Sequence, residues 1–225
     1  MTRFSPRRSR RFDFDFFARD ARAVFQDIAA RDARHDALEQ TYSFYVVPGG
    51  RNGGHDRRVV EIFYGRRPFE QVSELVQQER SLPELRDRLL SESGATLLYQ
   101  RGDNGTVLCT LHPAHSENYR RREEAIVLAV IRNTHVLTGV PTLERHWRAF
   151  MSYMQYTALD GEPSAADRLR VWWLLSTRRL VINKTAEAAR FWVVAGRLAF
   201  FSATVGLSGF LLALVQWWFA KNPSP

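Results

Sequence analysis

Residues 95–111, ATLLYQRGDNGTVLCTL, carry the reading on which the fold depends. Ala95–Gln100 and Thr106–Leu111 are rich in aliphatic and β-branched residues, and between them Gly102, Asp103, Asn104 and Gly105 form a compact turn signal. Two such runs around a Gly/Asn/Asp cluster predict an antiparallel hairpin. A second hairpin is predicted upstream, where Thr41–Val47 (TYSFYVV) and Arg58–Tyr64 (RVVEIFY) flank the glycine-rich PGGRNGGHD. Between the hairpins, helices are predicted near Phe69–Glu79 and Leu82–Leu90. The second has a capping-box pattern, with Ser81 at the start, Pro83 in the first turn and Glu84 three residues on. A ββ–helix–ββ order favours an α+β fold, an antiparallel sheet of two hairpins with helices packed on it.

Outward from the sheet, both flanks read as helical. Phe17, Ala21, Val24, Phe25 and Ile28 recur at helical spacing within Asp15–Gln40, which predicts an amphipathic helix. Downstream, helices are expected at Glu117–Thr138, Thr142–Leu159 and Ser164–Leu175, with Pro141 and Pro163 near helix starts, where a missing N–H costs little. The run VWWLL at Val171–Leu175, flanked by Arg168, Arg170, Arg178 and Arg179, is expected in the core, with a helix lying on a membrane surface as the alternative. The expected organisation is a mobile basic arm over residues 1–12, a cytosolic α+β domain over 13–182, a joint over 183–197, a membrane helix over 198–220 and a short tail over 221–225.

The membrane helix is expected because Leu198–Ala220, LAFFSATVGLSGFLLALVQWWFA, holds no charged residue. At about 1.5 Å per residue it is roughly 34 Å long as a helix, enough for a bilayer core of about 30 Å. Arg178, Arg179, Lys184, Arg190 and Arg197 precede the span and Lys221 follows it, so the positive-inside bias predicts a cytoplasmic N-terminal domain, in bacterial terms at the inner membrane. Phe191, Trp192, Arg197, Trp217, Trp218 and Lys221 are the expected interface anchors. Asp13 and Asp15 break the first apolar run, so no secretory signal is expected. Ala199, Ser202, Ala203, Gly206, Gly209 and Ala213 supply small residues on or beside one face of the span, and close helix packing there predicts a homo-oligomer or a membrane-protein partner.

The formal charge is +8 and the pI about 10.2, and of 32 basic residues only Lys184 and Lys221 are lysines. That balance predicts an anionic neighbour, most simply lipid headgroups, with nucleic acid or a nucleotide as the alternative. Arg3, Arg7, Arg8, Arg10 and Arg11 of the arm, with Arg51, Arg57 and Arg58 around the glycine-rich loop, are the candidate anion contacts. That loop matches neither the P-loop nor the dinucleotide fingerprint and joins two strands, so it reads as a hairpin loop. Cys109, His112 and His115 have ligand-like spacing, but strand alternation sends Cys109 and His112 to opposite faces, so no metal site is expected. His135 and His146 are read as ordinary helical histidines. No nucleophile elbow, zinc-protease helix or kinase motif occurs, and neither an enzyme nor a cofactor is expected.

The organisation, a compact cytosolic domain closely joined to one terminal membrane helix, resembles that of bacterial membrane effectors of antiviral defence. The resemblance implies a sensing domain that controls assembly of the membrane segments. An accessory subunit of a larger membrane complex is the other partner class the same small residues would serve.

Overall fold

The computed structural model describes residues 6–51, 56–76 and 84–189. The first helix, α1 (Pro6–Ala30), starts well before the expected Asp15. Residues 6–12 are therefore not a separate mobile arm. Proline opens the helix without losing an intrahelical bond, and Phe14, Phe17, Ala21, Phe25 and Ile28 form one buried stripe. The expected continuation to Gln40 is interrupted at Asp32. This residue adopts an extended backbone and caps a second helix, α2 (Ala33–Glu39), while the Trp147 indole N–H donates to its carboxylate at 3.0 Å.

The two predicted hairpins form and join. β1 (Phe44–Pro48) pairs with β2 (Val59–Tyr64), as expected. The next two segments correct the helical reading: β3 (Arg66–Val76) and β4 (Glu84–Ser93) are strands, paired antiparallel from Arg66↔Ser93 to Val76↔Glu84 with a bulge at Pro68/Glu70. Local spacing favoured helices, but tertiary anchoring favours the ribbon. Buried Glu92 accepts from Tyr42 Oη at 2.6 Å, Arg67 at 3.0 and 3.1 Å and the Leu159 backbone N–H at 2.8 Å. These bonds tie the base of the ribbon to distant parts of the chain. The hairpin of β5 (Thr96–Arg101) and β6 (Val107–His112) follows, and β2 pairs with β5 so that the two hairpins become one sheet. A short β7 (His115–Ser116) extends the ribbon into a separate three-stranded sheet, in the order β3-β4-β7.

The expected helix Glu117–Thr138 is also replaced, by β8 (Ala125–Ile131) and a 3₁₀ turn at Thr134–Thr138. The run AIVLAVI is apolar throughout, so its periodicity cannot tell a central strand from a buried helix; pairing with β6 decides it. α3 (Val140–Thr157) and α4 (Ala165–Thr177) match the reading closely. β9 (Arg179–Ile182) and β10 (Thr185–Glu187) then form a hairpin whose turn residues, Asn183 and Lys184, both have positive φ. Residues 183–187 therefore belong to the sheet, not to a joint. The seven-stranded sheet runs β1-β2-β5-β6-β8-β9-β10, antiparallel throughout. Its inner residues, among them Ile62, Tyr64, Leu97, Tyr99 and Leu111, join one core with α1 and with Trp147, Phe150 and Met154 of α3. The α+β class with helices on an antiparallel sheet is thus observed.

Candidate functional site

The structure separates the candidate anion contacts into two places. The turn of the β5–β6 hairpin lies against the start of α1: Gly105 has φ +81°, and a Cβ there would stand 2.9 Å from Arg10 Cβ. Arg11 donates to the Asp103 carbonyl at 3.1 Å, and Arg58 meets the Asp103 carboxylate at 2.9 Å. Arg10, Arg11 and Arg58, distant in sequence, therefore gather at one exposed end of the sheet. Arg7 and Arg8 are exposed on the first turn of α1 and Arg57 in the turn before β2. Arg51 is elsewhere, with its guanidinium bonded to Glu61 and Thr96 and lying 3.9 Å over the Phe63 ring. Arg3 lies outside the described residues.

Cys109 and His112 fall on opposite sides of β6, as alternation requires. Outside, His112 and His115 line a cleft of about 300 Å³ with Arg120, Arg121, Glu123 and Glu124. Burial lowers the His112 pKa, opposed by a backbone hydrogen bond at Glu124. The cleft's charges are largely engaged with one another and with α3: Arg121 approaches Glu123 at 3.5 Å and donates to the Tyr156 carbonyl, and Tyr153 Oη donates to Glu123. Inside, Tyr99 Oη is 2.8 Å from His146 Nδ1, with Cys109 Sγ at 3.7 Å from the same nitrogen. Burial pushes the Cys109 thiol up, so it has neither thiolate character nor access to act as a nucleophile. Among the described residues, no group of three or more His, Cys, Asp and Glu side chains is placed to hold a metal ion.

The third feature is the face of α4. Ser164 and Asp167 form a reciprocal capping box at its start. Asp167 Oδ1 also accepts from Ser152 Oγ at 2.6 Å and from Arg34 at 3.1 Å, while Arg170 donates to Ser152 Oγ at 2.8 Å. This network sets the rotation of the helix about its axis. Val171 and Leu174 turn into the core, while Leu169, Trp172 and Trp173 remain 65%, 60% and 54% exposed. The expectation that VWWLL is core is therefore corrected: at 100° per residue the run must divide between two faces. The exposed apolar pair on this face is Leu169 with Trp172; of the two, Trp172 lay within the run for which a membrane-surface helix was the alternative reading, and Leu169 did not. The signal for this face was the Ser164–Asp167 cap, which puts 167, 171 and 174 on one side.

The end of α4 lies beside the end of the described chain. Thr177, Arg178 and Arg179 share a cleft of about 430 Å³ with Val127–Val130 and with Ala188 and Ala189. All the expected packing residues of the span, Ala199 to Ala213, and the anchors Phe191, Trp192, Arg197, Trp217, Trp218 and Lys221 lie outside the described residues. Among the described residues no helix is long and apolar enough to cross a membrane. Known protein families, curated proteins and solved structures were compared with the chain, and none matches.

Proposed function

We propose that this chain is a single-pass, membrane-anchored sensor or effector of the bacterial inner membrane, non-enzymatic, whose cytosolic α+β domain controls self-association of the helix 198–220. The observation that carries this reading is the uncharged stretch Leu198–Ala220 after a basic flank. Clustering of the cytosolic domains by a ligand or partner would raise the local concentration of their helices, and helix association could then perturb the bilayer, as an antiviral-defence effector would require. Alkaline carbonate washing is expected to leave the full chain in the membrane fraction, and deletion of 198–225 to release it. Gly206→Ile is expected to stay in membranes while losing crosslinked oligomers and any growth arrest that the wild type causes, because isoleucine keeps the span apolar but blocks close backbone approach. Release of the full chain by carbonate rejects the anchor. Unchanged crosslinking rejects this helix face and favours an accessory subunit beside another membrane protein.

The gathering of Arg10, Arg11 and Arg58 around Asp103 supports a second reading, a membrane-tethered module for a nucleotide or nucleic acid. The pairs there are exposed and each contributes less than about 1 kcal/mol, so R11A/R58A is expected to leave the thermal midpoint nearly unchanged. If this surface binds a polyanion, the same variant elutes from immobilised heparin at lower salt than the wild type. Equal elution removes the second reading.

A further inference from the structure

We infer that the outward face of α4, built on Leu169 and Trp172 with Arg168 beside them, rests on an anionic lipid surface. The inference extends the anchored reading and depends on it. Three observations converge. An apolar residue and an indole on the same face are each at least 60% exposed, an arrangement suited to the headgroup boundary, where an indole keeps its N–H wet and buries its ring. The exposed charge beside the pair is positive: Arg168 lies one turn before Trp172, and Arg178 and Arg179 are exposed just past the end of the helix, whereas the only acid of α4, Asp167, is buried and bonded to Ser152, Ser164 and Arg34. Position is the third observation. The C-terminal end of α4 shares a cleft with Ala188 and Ala189, the last described residues, which precede the uncharged stretch 198–220 in sequence.

The physical consequence is orientation. A single span leaves its domain free to rotate and tilt, whereas a second contact of aromatic and basic side chains holds one side of the domain against the bilayer. The β5–β6 turn with Arg10, Arg11 and Arg58 is then presented in a restricted direction to partners in solution. Anionic lipid is required because exposed arginines gain attraction from a negative leaflet and none from a neutral one.

The test uses the full chain in nanodiscs, with an environment-sensitive nitrobenzoxadiazole probe on one introduced cysteine; the native Cys109 is buried and does not compete. Leu169→Cys reports the face, Gln71→Cys on exposed β3 is the aqueous control, and Ala213→Cys reports the span. In phosphatidylglycerol-containing discs the Leu169→Cys probe is expected to blue-shift and to be quenched about fivefold more by headgroup nitroxides than the Gln71→Cys probe, and less so in pure phosphatidylcholine. A probe at 169 that stays aqueous while that at 213 is shielded overturns this inference and leaves the anchor standing. Both probes aqueous overturns the anchor itself. Shielding at 169 that persists in detergent and grows with protein concentration assigns the face to a second copy, and equal shielding in neutral discs removes the electrostatic part; either result overturns the inference as stated.

Discussion

Asp167→Ala is expected to destabilise the domain by about 2 to 3 kcal/mol, the cost of losing the reciprocal half of a helix cap together with charge-assisted hydrogen bonds to a buried carboxylate. The carboxylate accepts from Ser152, Ser164 and Arg34 and completes the capping box of α4, so its loss removes one acceptor from each, while Arg34 keeps Asp32 and Ser152 keeps the Arg148 carbonyl. Asp167→Asn, which keeps the shape but not the charge, should fall between. A urea midpoint series on the full chain in micelles checks both, and a shift under about 1 kcal/mol would mean the network contributes only as an exposed pair does. The same site has an acid signature. Burial alone would raise the Asp167 pKa, but the Ser152 and Ser164 hydrogen bonds and the Arg34 charge outweigh it and hold it below the usual carboxylate range. Its contribution is therefore complete above the unfolded value near 4 and is lost as pH falls through the lower folded value. Loss of the cap would also free α4 to rotate, so Leu169 and Trp172 should lose their fixed orientation.

The second large effect is pH-dependent and belongs to His146. Burial, reinforced by Arg145 and Arg178, pushes its pKa down to about 4 from the usual 6.5. The ring is neutral in the folded state, beside Tyr99 and Cys109. Between pH 6.5 and 4 the unfolded chain takes up a proton that the folded chain refuses, so stability falls as pH falls through this window, by up to about 3 kcal/mol. Below the window no further loss comes from this group. His146→Gln is expected to flatten the profile between pH 6.5 and 4, leaving the share of His112, whose pKa burial also lowers. An unchanged slope in the variant would place the proton uptake elsewhere. The two acidic windows are distinct, so His146 and Asp167 can be separated in one titration.

What was legible in the chain depended on whether the deciding interaction was local. The β1–β2 and β5–β6 hairpins follow from turn residues within a few positions of their strands, and α3 and α4 from proline placement and periodicity. The ribbon β3–β4 was missed because its register depends on Glu92 bonding to Tyr42, Arg67 and Leu159. Strand β8 was missed because a short, wholly apolar segment has no period to read, and its strand state comes from lying between β6 and β9. The basic patch was half legible: the arginines were visible as a class, but their meeting at Asp103 required α1 to cross the hairpin end.

By itself the sequence determined the α+β class, the two hairpins, the helices α3 and α4 and the opposite faces of Cys109 and His112, because each rests on chemistry within one turn or one strand. Only the tertiary structure decided which arginines gather and which way α4 faces. Those outcomes depend on bonds between residues far apart in the chain, such as Asp167 with Arg34, and no local pattern encodes which distant partner will be satisfied when the core closes.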